Sequence, residues 1–332
     1  MNTEKPILVI VMPNKYFDFY KNEVEKIWPS YSIYFLLNYS GRGVVYGFDY
    51  PLDTDSLTFP YIKELSWKKC NEDSGYVWHL ENKEIFKTDY TNANILKAAE
   101  KIVFMSADLC ISEAITFQVL VEQNLGKNIK KSYTLYIAES FEREKVLFSL
   151  RNPITNNDPI FQERLKMDTA KRYFEYNFNF NSCVIFKPVL QKAGVLNEDF
   201  VFTKFLLPFF YALKDKSDFS LHEIYNMVYY WKGSGLYPES SSPYAGNIIE
   251  KLSKAGLLKD NGKGSEDNAH YDFTDKARNL IKLIHQDCGD IDLPCKLLQW
   301  QKSWPESKKE MEEYIIAFFR KQMEFIPLKL QS

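Results

Sequence analysis

The sequence predicts an α/β domain built on a mostly parallel sheet, followed by a mostly helical domain. Three observations predict it. Short apolar, β-rich runs alternate with helical spacings over residues 5–150. After Pro153 the pattern turns helical. Within residues 219–285 a helix, a second helix ending in Gly, a hairpin and a Thr-capped helix follow one another. The expected division is residues 1–150 and 151–332.

Each element has its own warrant. KPILVIVMP is an apolar run closed by Pro13, the pattern of a buried strand. Residues 15–28 place Tyr16, Phe19, Tyr20, Val24 and Ile27 at helical spacing. SIYFLLNYS reads as a strand, followed by the turn Ser40-Gly41-Arg42-Gly43 and then VVYGFDYP; residues 53–90 read as irregular. Asn92–Glu100 is a short helix leading into the strand IVFMS. Glu113–Asn124 is the helix after the next loop, and KSYTLYIAES is a further strand. Residues 159–180 form one long amphipathic helix and 199–214 an apolar one.

FSLHEIYNMVYYW is the next helix. SSPYAGNIIEKLSKAGLL is a second, with Ser242 as cap, Pro243 at the first helical position and Gly256 at the end. LLKDNGKG and HYDF pair as a hairpin, and Thr274 caps TDKARNLIKLI. This is the order of a winged helix, over about residues 219–285. In the DNA-binding version the second helix enters the major groove. Its exposed face would offer Tyr244, Asn247, Lys251 and Lys254, with Lys259 and Lys263 on the wing. Glu250, Asp260, Glu266 and Asp267 dilute that basic face, so a packing or protein-contact role stands beside DNA contact.

Composition narrows the function classes. A chain of 332 residues with 45% hydrophobic content can bury sizeable cores and is not a disordered tail. A formal net charge of -2 supplies no global attraction for nucleic acid, so any such contact must come from a local patch. No segment approaches a bilayer span, and the run in MNTEKPILVIVMP is too short for a secretory core. Five scattered Cys without a CxxC pair fit reduced thiols in a cytoplasm, so no membrane partner and a cytoplasmic location are expected.

Other motifs are thin. Phosphate loops of the GxxxxGK[ST] and GxGxxG types are missing. His285, Cys288 and Cys295 make an incomplete zinc set, and a helix end followed by an acidic loop explains them better. Lys171 and Arg172 are interleaved with Tyr173, Phe174, Tyr176 and Phe178. Such a mixture suits either phosphate contact with base stacking on a single strand, or a helix that packs its rings inward.

The stretch from Ile102 to Leu120 combines a buried strand, a short loop with Asp108, and a helix that starts at Glu113. Together with Val11-Met12-Pro13-Asn14-Lys15, Gly41-Arg42-Gly43-Val44-Val45, DPIFQERLKMDTAKRYFEYNFNFNSC and SSPYAGNIIEKLSKAGLL, it resembles type IA DNA topoisomerases in motif order over most of the chain. The resemblance implies a Toprim-like α/β domain over 1–150 and an adjoining winged-helix-like segment within 151–332. It also implies DNA as partner, with Lys15, Arg42, Lys171, Arg172, Tyr173, Lys251 and Lys254 as contact residues.

The departures from the family bear on activity. Met12 stands where the family has a strand-end Glu, and Ala107 and Leu109 where it has two metal-binding Asp residues; Ile111 takes another acid's place. Glu113 matches, while Asp108 is one residue out of register. Tyr237, the partial match to the nucleophile, is followed at Glu239 by an acid where the family has Arg. About 50 residues separate the Toprim-adjacent helix from the winged helix, too few for the DNA-gate domains.

The expectation is a non-catalytic relative, a pseudoenzyme that binds single-stranded DNA or a DNA-processing protein and takes no cofactor. Mg²⁺ enters only if Asp108 and Glu113 still hold it. The alternatives are an active Mg²⁺-dependent topoisomerase or nicking enzyme using Glu113 and Tyr237, and a protein-interaction module without a nucleic-acid role.

Overall fold

The structure, a computed structural model, describes residues 5–12, 17–36, 46–50, 58–69, 77–107, 113–127, 133–138, 144, 147–148, 151–152, 154–195, 200–204, 206–229, 242–265, 269–290 and 292–330. The chain is a mixed α/β protein forming two compact units. One comprises residues 1–49 and 66–169, the other residues 50–65 and 170–332. The division therefore falls between Thr169 and Ala170 rather than at residue 150, and residues 50–65 belong with the later part of the chain.

The first unit is built on a seven-stranded sheet. Its strands are β1 (Ile7–Val11), β2 (Ser32–Leu36), β5 (Val77–Glu81), β6 (Glu84–Lys87), β7 (Lys101–Ala107), β8 (Tyr133–Ala138) and β9 (Ile154–Thr155), in the order β6-β5-β2-β1-β7-β8-β9. The β1–β2, β1–β7 and β7–β8 pairs are parallel, and the β2–β5, β5–β6 and β8–β9 pairs antiparallel. The sheet is thus parallel at its centre and antiparallel at both edges. A separate hairpin joins β3 (Tyr46–Phe48) to β4 (Trp67–Lys69).

Burial follows the pleat. Ile33, Phe35 and Leu80 pack against Phe17 and Val24 of helix α1 (Phe17–Ile27), with the Phe17 and Phe35 rings edge-on at 5.0 Å. Phe104 of β7 stacks on Phe117 of helix α3 (Glu113–Leu125) at 4.7 Å. Helix α2 (Asn92–Ala98) is capped by Thr91, whose side chain accepts from the Asn94 N–H.

Residues 53–90, expected to be irregular, include β4, β5 and β6. These strands are short, and β6 has one half-buried position between exposed ones, so no apolar run announces it. Asn82 and Lys83 join β5 to β6 at positive φ, 51° and 67°, the backbone of a two-residue hairpin turn.

Helix α4 (Pro159–Lys192) is longer than the sequence predicts. In the second unit its Phe174 and Phe178 rings lie against Trp300 of α9 (Leu293–Lys302) and Tyr314, Phe318 and Phe319 of α10 (Lys308–Leu330). Apolar contact on several sides is what makes a helix of this kind aromatic nearly all round.

The same helix holds residues 58–65 by an unusual device. Asn177 accepts from the Lys63 N–H at 2.8 Å and donates to the Lys63 carbonyl at 3.0 Å. One turn on, Asn181 accepts from the Tyr61 N–H at 3.0 Å and donates to the Tyr61 carbonyl at 2.7 Å. Both amides are fully buried. They replace the partner strand that an extended segment ordinarily requires. Phe59, Ile62 and Leu65 thereby pack against the core of this unit.

Removing either amide strands a backbone donor and acceptor. Asn177→Ala and Asn181→Ala should each cost about 1–3 kcal/mol in urea unfolding and loosen the backbone at Lys63 enough for trypsin to cut there. Unchanged stability and an uncut chain would show that the ladder is dispensable.

Candidate functional site

In open α/β sheets, ligands bind at the carboxyl ends of strands where the chain order reverses. Here that point lies between β1 and β7. From β1 the chain continues to β2 on one side, and β7 pairs on the other, with Val11 opposite Phe104. The loop after β7 leads into the N-terminus of α3.

The described residues that end β1 and β7 are apolar. Met12 follows β1, bonds its N–H to the Leu36 carbonyl at 3.1 Å and is fully buried in the sheet core. Ala107 closes β7. The α3 N-terminus, where free N–H groups would meet an anion, already has a carboxylate: Asp168 of α4 accepts from the Ile115 N–H at 3.2 Å and is itself fully buried. Sequence reasoning missed Asp168, because its partner lies 53 residues away and the local run KMDTAK carries no capping signal.

Of the residues singled out in the sequence, Lys15, Arg42, Asp108 and Tyr237 lie outside the described residues. Glu113 begins α3, but its side chain lies outside the described part. Among the described residues no group of three or more His, Cys, Asp or Glu is arranged to hold a metal. His285 accepts from the Asp287 N–H, and Cys288 contacts Gln322 at 3.4 Å. Burial pushes the Cys288 thiol up to about 12.

The stretch 171–178 corrects the base-stacking expectation. Tyr173, Phe174, Tyr176 and Phe178 are all buried, as is Lys171. Tyr173 donates to Glu312, and Tyr176 lies parallel to Tyr50 at 5.3 Å. Arg172 and Lys204 converge on Glu175 at 2.7 and 3.0 Å. Burial alone would raise the Glu175 carboxyl, yet Lys204, Arg172 and Lys171 hold it well below the usual carboxylate range. The rings are core, and the cations act on the half-buried Glu175 carboxylate.

The later part of the chain offers a different surface. After α5 (Leu206–Ala212), β10 (Phe219–Ser220) opens α6 (Leu221–Tyr229), and α7 (Ser242–Lys254) follows. Then β11 (Leu258–Asp260) and β12 (His270–Phe273) pair antiparallel, and α8 (Asp275–Lys282) ends the run. The three strands are ordered β10-β12-β11.

Local chemistry fixes the corners. Gly256 takes φ +70°, and the Leu257 N–H returns to the Leu252 carbonyl at 2.8 Å. Thr274 donates to the Gly256 carbonyl at 2.8 Å and accepts from the Ala277 N–H, pinning the end of α7 to the start of α8. Ile248, Ile249 and Leu252 of α7 are buried, whereas Lys251 and Lys254 are exposed. Lys254 pairs with Glu250 at 2.6 Å. The side chains of Tyr244 and Asn247 lie outside the described part.

The hairpin is tied back by Asp218, a non-Gly residue at φ +57°. Its carboxylate meets Lys263 at 2.7 Å, His270 Nδ1 at 2.8 Å and the Asn261 amide at 2.9 Å. Its N–H donates to Asp272 at 2.7 Å. The bonds from Lys263, Asn261 and His270 hold the Asp218 carboxyl well below its ordinary value. A depressed carboxyl contributes order above its unfolded value and loses it as pH falls through the folded one.

The Asn261 side-chain amide resonance should therefore report protonation of Asp218 only below about pH 4, the ordinary Asp range. Asp218→Asn should displace that resonance at neutral pH and flatten its acid titration. A wild-type acid titration centred near pH 4 would contradict this.

Met12 generates a second expectation. Met12→Glu should destabilise by about 3–5 kcal/mol in urea unfolding, the scale for an unpaired buried charge, with no recovery in Mg²⁺. Met12→Leu should cost about 1.5 kcal/mol or less. Rescue of the Glu variant by Mg²⁺ would mean that neighbouring acids still form a site.

Among the described residues no helix is long and apolar enough to cross a membrane. Comparison with protein-family models, curated proteins and solved structures returns no match to this chain.

Proposed function

We propose that this chain is a non-catalytic DNA-binding protein of type IA topoisomerase character, with a Toprim-like α/β unit and a winged helix formed by α5 to β12. The observation that carries the reading is the order α5-β10-α6-α7-β11-β12 with its sheet β10-β12-β11. It leaves α7 with an outward face bearing Lys251 and Lys254 and puts the exposed Lys259 on the adjoining strand. A helix and wing of this kind read duplex DNA from the major groove, with lysines neutralising phosphates.

The Toprim-like part rests on the motif order in the sequence and on the β1–β7 switch point. Mg²⁺ prefers a near-octahedral set of oxygens including one or two carboxylates, and in this reading only Asp108 and Glu113 remain as candidates. Met12, Ala107, Leu109 and Ile111 offer no such oxygen, and Asp168 is bonded to α3. The reading therefore includes no strand cleavage. The burial of the rings at 171–178 moves the expected contact from a single-strand groove to α7 and the wing.

Lys251→Ala and Lys259→Ala should each weaken duplex binding and reduce the slope of log K against log salt by about 1, as for loss of one phosphate contact. Lys171→Ala/Arg172→Ala, if still folded by circular dichroism, should leave that slope unchanged. Fluorescence anisotropy with a labelled duplex at several salt concentrations measures both. Loss of binding confined to the 171/172 pair, or tighter binding to single strands, would overturn the assignment. Mg²⁺-dependent relaxation of supercoiled DNA would overturn the non-catalytic part.

A further inference from the structure

In the first unit, one face of the β2-β5-β6 edge carries a row of rings. Tyr34 is opposite His79, and His79 is opposite Phe86, so the three project from the same face. The Tyr34 and His79 rings stack at 4.6 Å, and Tyr90 meets Tyr34 edge-on at 5.7 Å. Phe86 is 49% exposed and Tyr90 40% exposed. Strand β6 is the edge of the sheet, so its outer N–H and C=O groups face no strand among the described residues.

Carboxylates share this face, with Lys83 in the turn between them. Glu81 is opposite Glu84 on the same hairpin. A cleft of about 470 Å³ adjoins, lined among others by Lys5, Glu25, Tyr31, Ser32, His79 and Glu81. Among the described residues Glu25, Glu81 and Glu84 form no ion pair. Lys5 gives its ammonium to the Pro29 carbonyl at 3.0 Å, and Tyr31 donates to Glu100. Ser32 Oγ and His79 Nε2 lie 3.1 Å apart.

Ring faces alone would suit nucleic-acid bases, but carboxylates repel the phosphates that accompany them. The combination instead complements a cation that is flat. A guanidinium stacks on ring faces and forks to carboxylates, which an ammonium cannot do equally well.

We propose that the β6 edge and the Tyr34–His79–Phe86 face form a docking surface for an extended, arginine-containing segment of a partner protein. The segment adds as a strand beside β6 and lays alternate arginines over the rings, against Glu81 and Glu84. This inference does not depend on DNA binding by the second unit.

The test uses the full chain and a short fluorescein-labelled peptide that alternates arginine with valine. A lysine-for-arginine peptide and an oligo-dT strand serve as controls, with binding read by fluorescence anisotropy. The arginine peptide should bind, the lysine peptide several-fold more weakly, and oligo-dT should not compete. Glu81→Gln/Glu84→Gln and, separately, Phe86→Ser/Tyr90→Ser should each weaken binding roughly tenfold, within the range for truncated interface anchors. Circular dichroism and thermal melting confirm that both variants remain folded. Equal affinity for the two peptides would reduce the surface to unspecific charge and overturn the proposal. Undiminished binding in either variant, or competition by oligo-dT, would place the site elsewhere. A concentration-dependent dimer in sedimentation, abolished by Phe86→Ser/Tyr90→Ser, would identify a second copy of the chain as the occupant and overturn it too.

Discussion

The paired amides of Asn177 and Asn181 are the constraint on which the second unit turns. An extended segment laid half-buried against a core needs partners for the peptide groups it turns inward. Here two side chains, spaced one helical turn apart, answer Lys63 and Tyr61 as a neighbouring strand would. The spacing matters. Positions i and i+4 lie on one face of a helix, some 6 Å apart, close to the rise of two residues in an extended chain. Helix period and strand period therefore agree at these two points. With the backbone satisfied, Phe59, Ile62 and Leu65 can join the core that Phe174 and Phe178 share with α9 and α10.

What could be read from the sequence was what local chemistry determines. The Gly256 stop, the Thr274 cap and the apolar run of β1 each act within a few residues, and each is in place. The hairpin of β5 and β6 escaped notice because its strands are short and half-exposed. Residues 58–65 showed no period because side chains distant in sequence bond their backbone. The aromatic stretch at 171–178 was ambiguous for a related reason: rings on every side of a helix fit a buried helix and a stacking platform alike, and only the packing partners at 300–319 decide.

At the candidate sites the same distinction holds. The pair Glu250–Lys254 follows from helical spacing. Asp168 on α3 and Asp218 on the hairpin do not, since both act across long stretches of chain. Asp168 supplies an acceptor oxygen to the first turn of α3. Asp218 holds Lys263, so the wing's cation is oriented at the expense of some of its field. Lys251, Lys254 and Lys259 are exposed on α7 and β11, with Lys254 paired to Glu250.

The asparagine ladder also has a consequence for the ribosome. Asn177 follows Lys63 by 114 residues. At synthesis rates of about 5–20 residues per second, the interval between their appearances is roughly 6–23 s. During that time Phe59, Ile62 and Leu65 are outside the tunnel while the helix that will hold them is still unmade. A nascent chain in this state displays an apolar, strand-competent segment of the kind that holding chaperones recognise. The first unit is left to assemble around a loop it cannot itself bury.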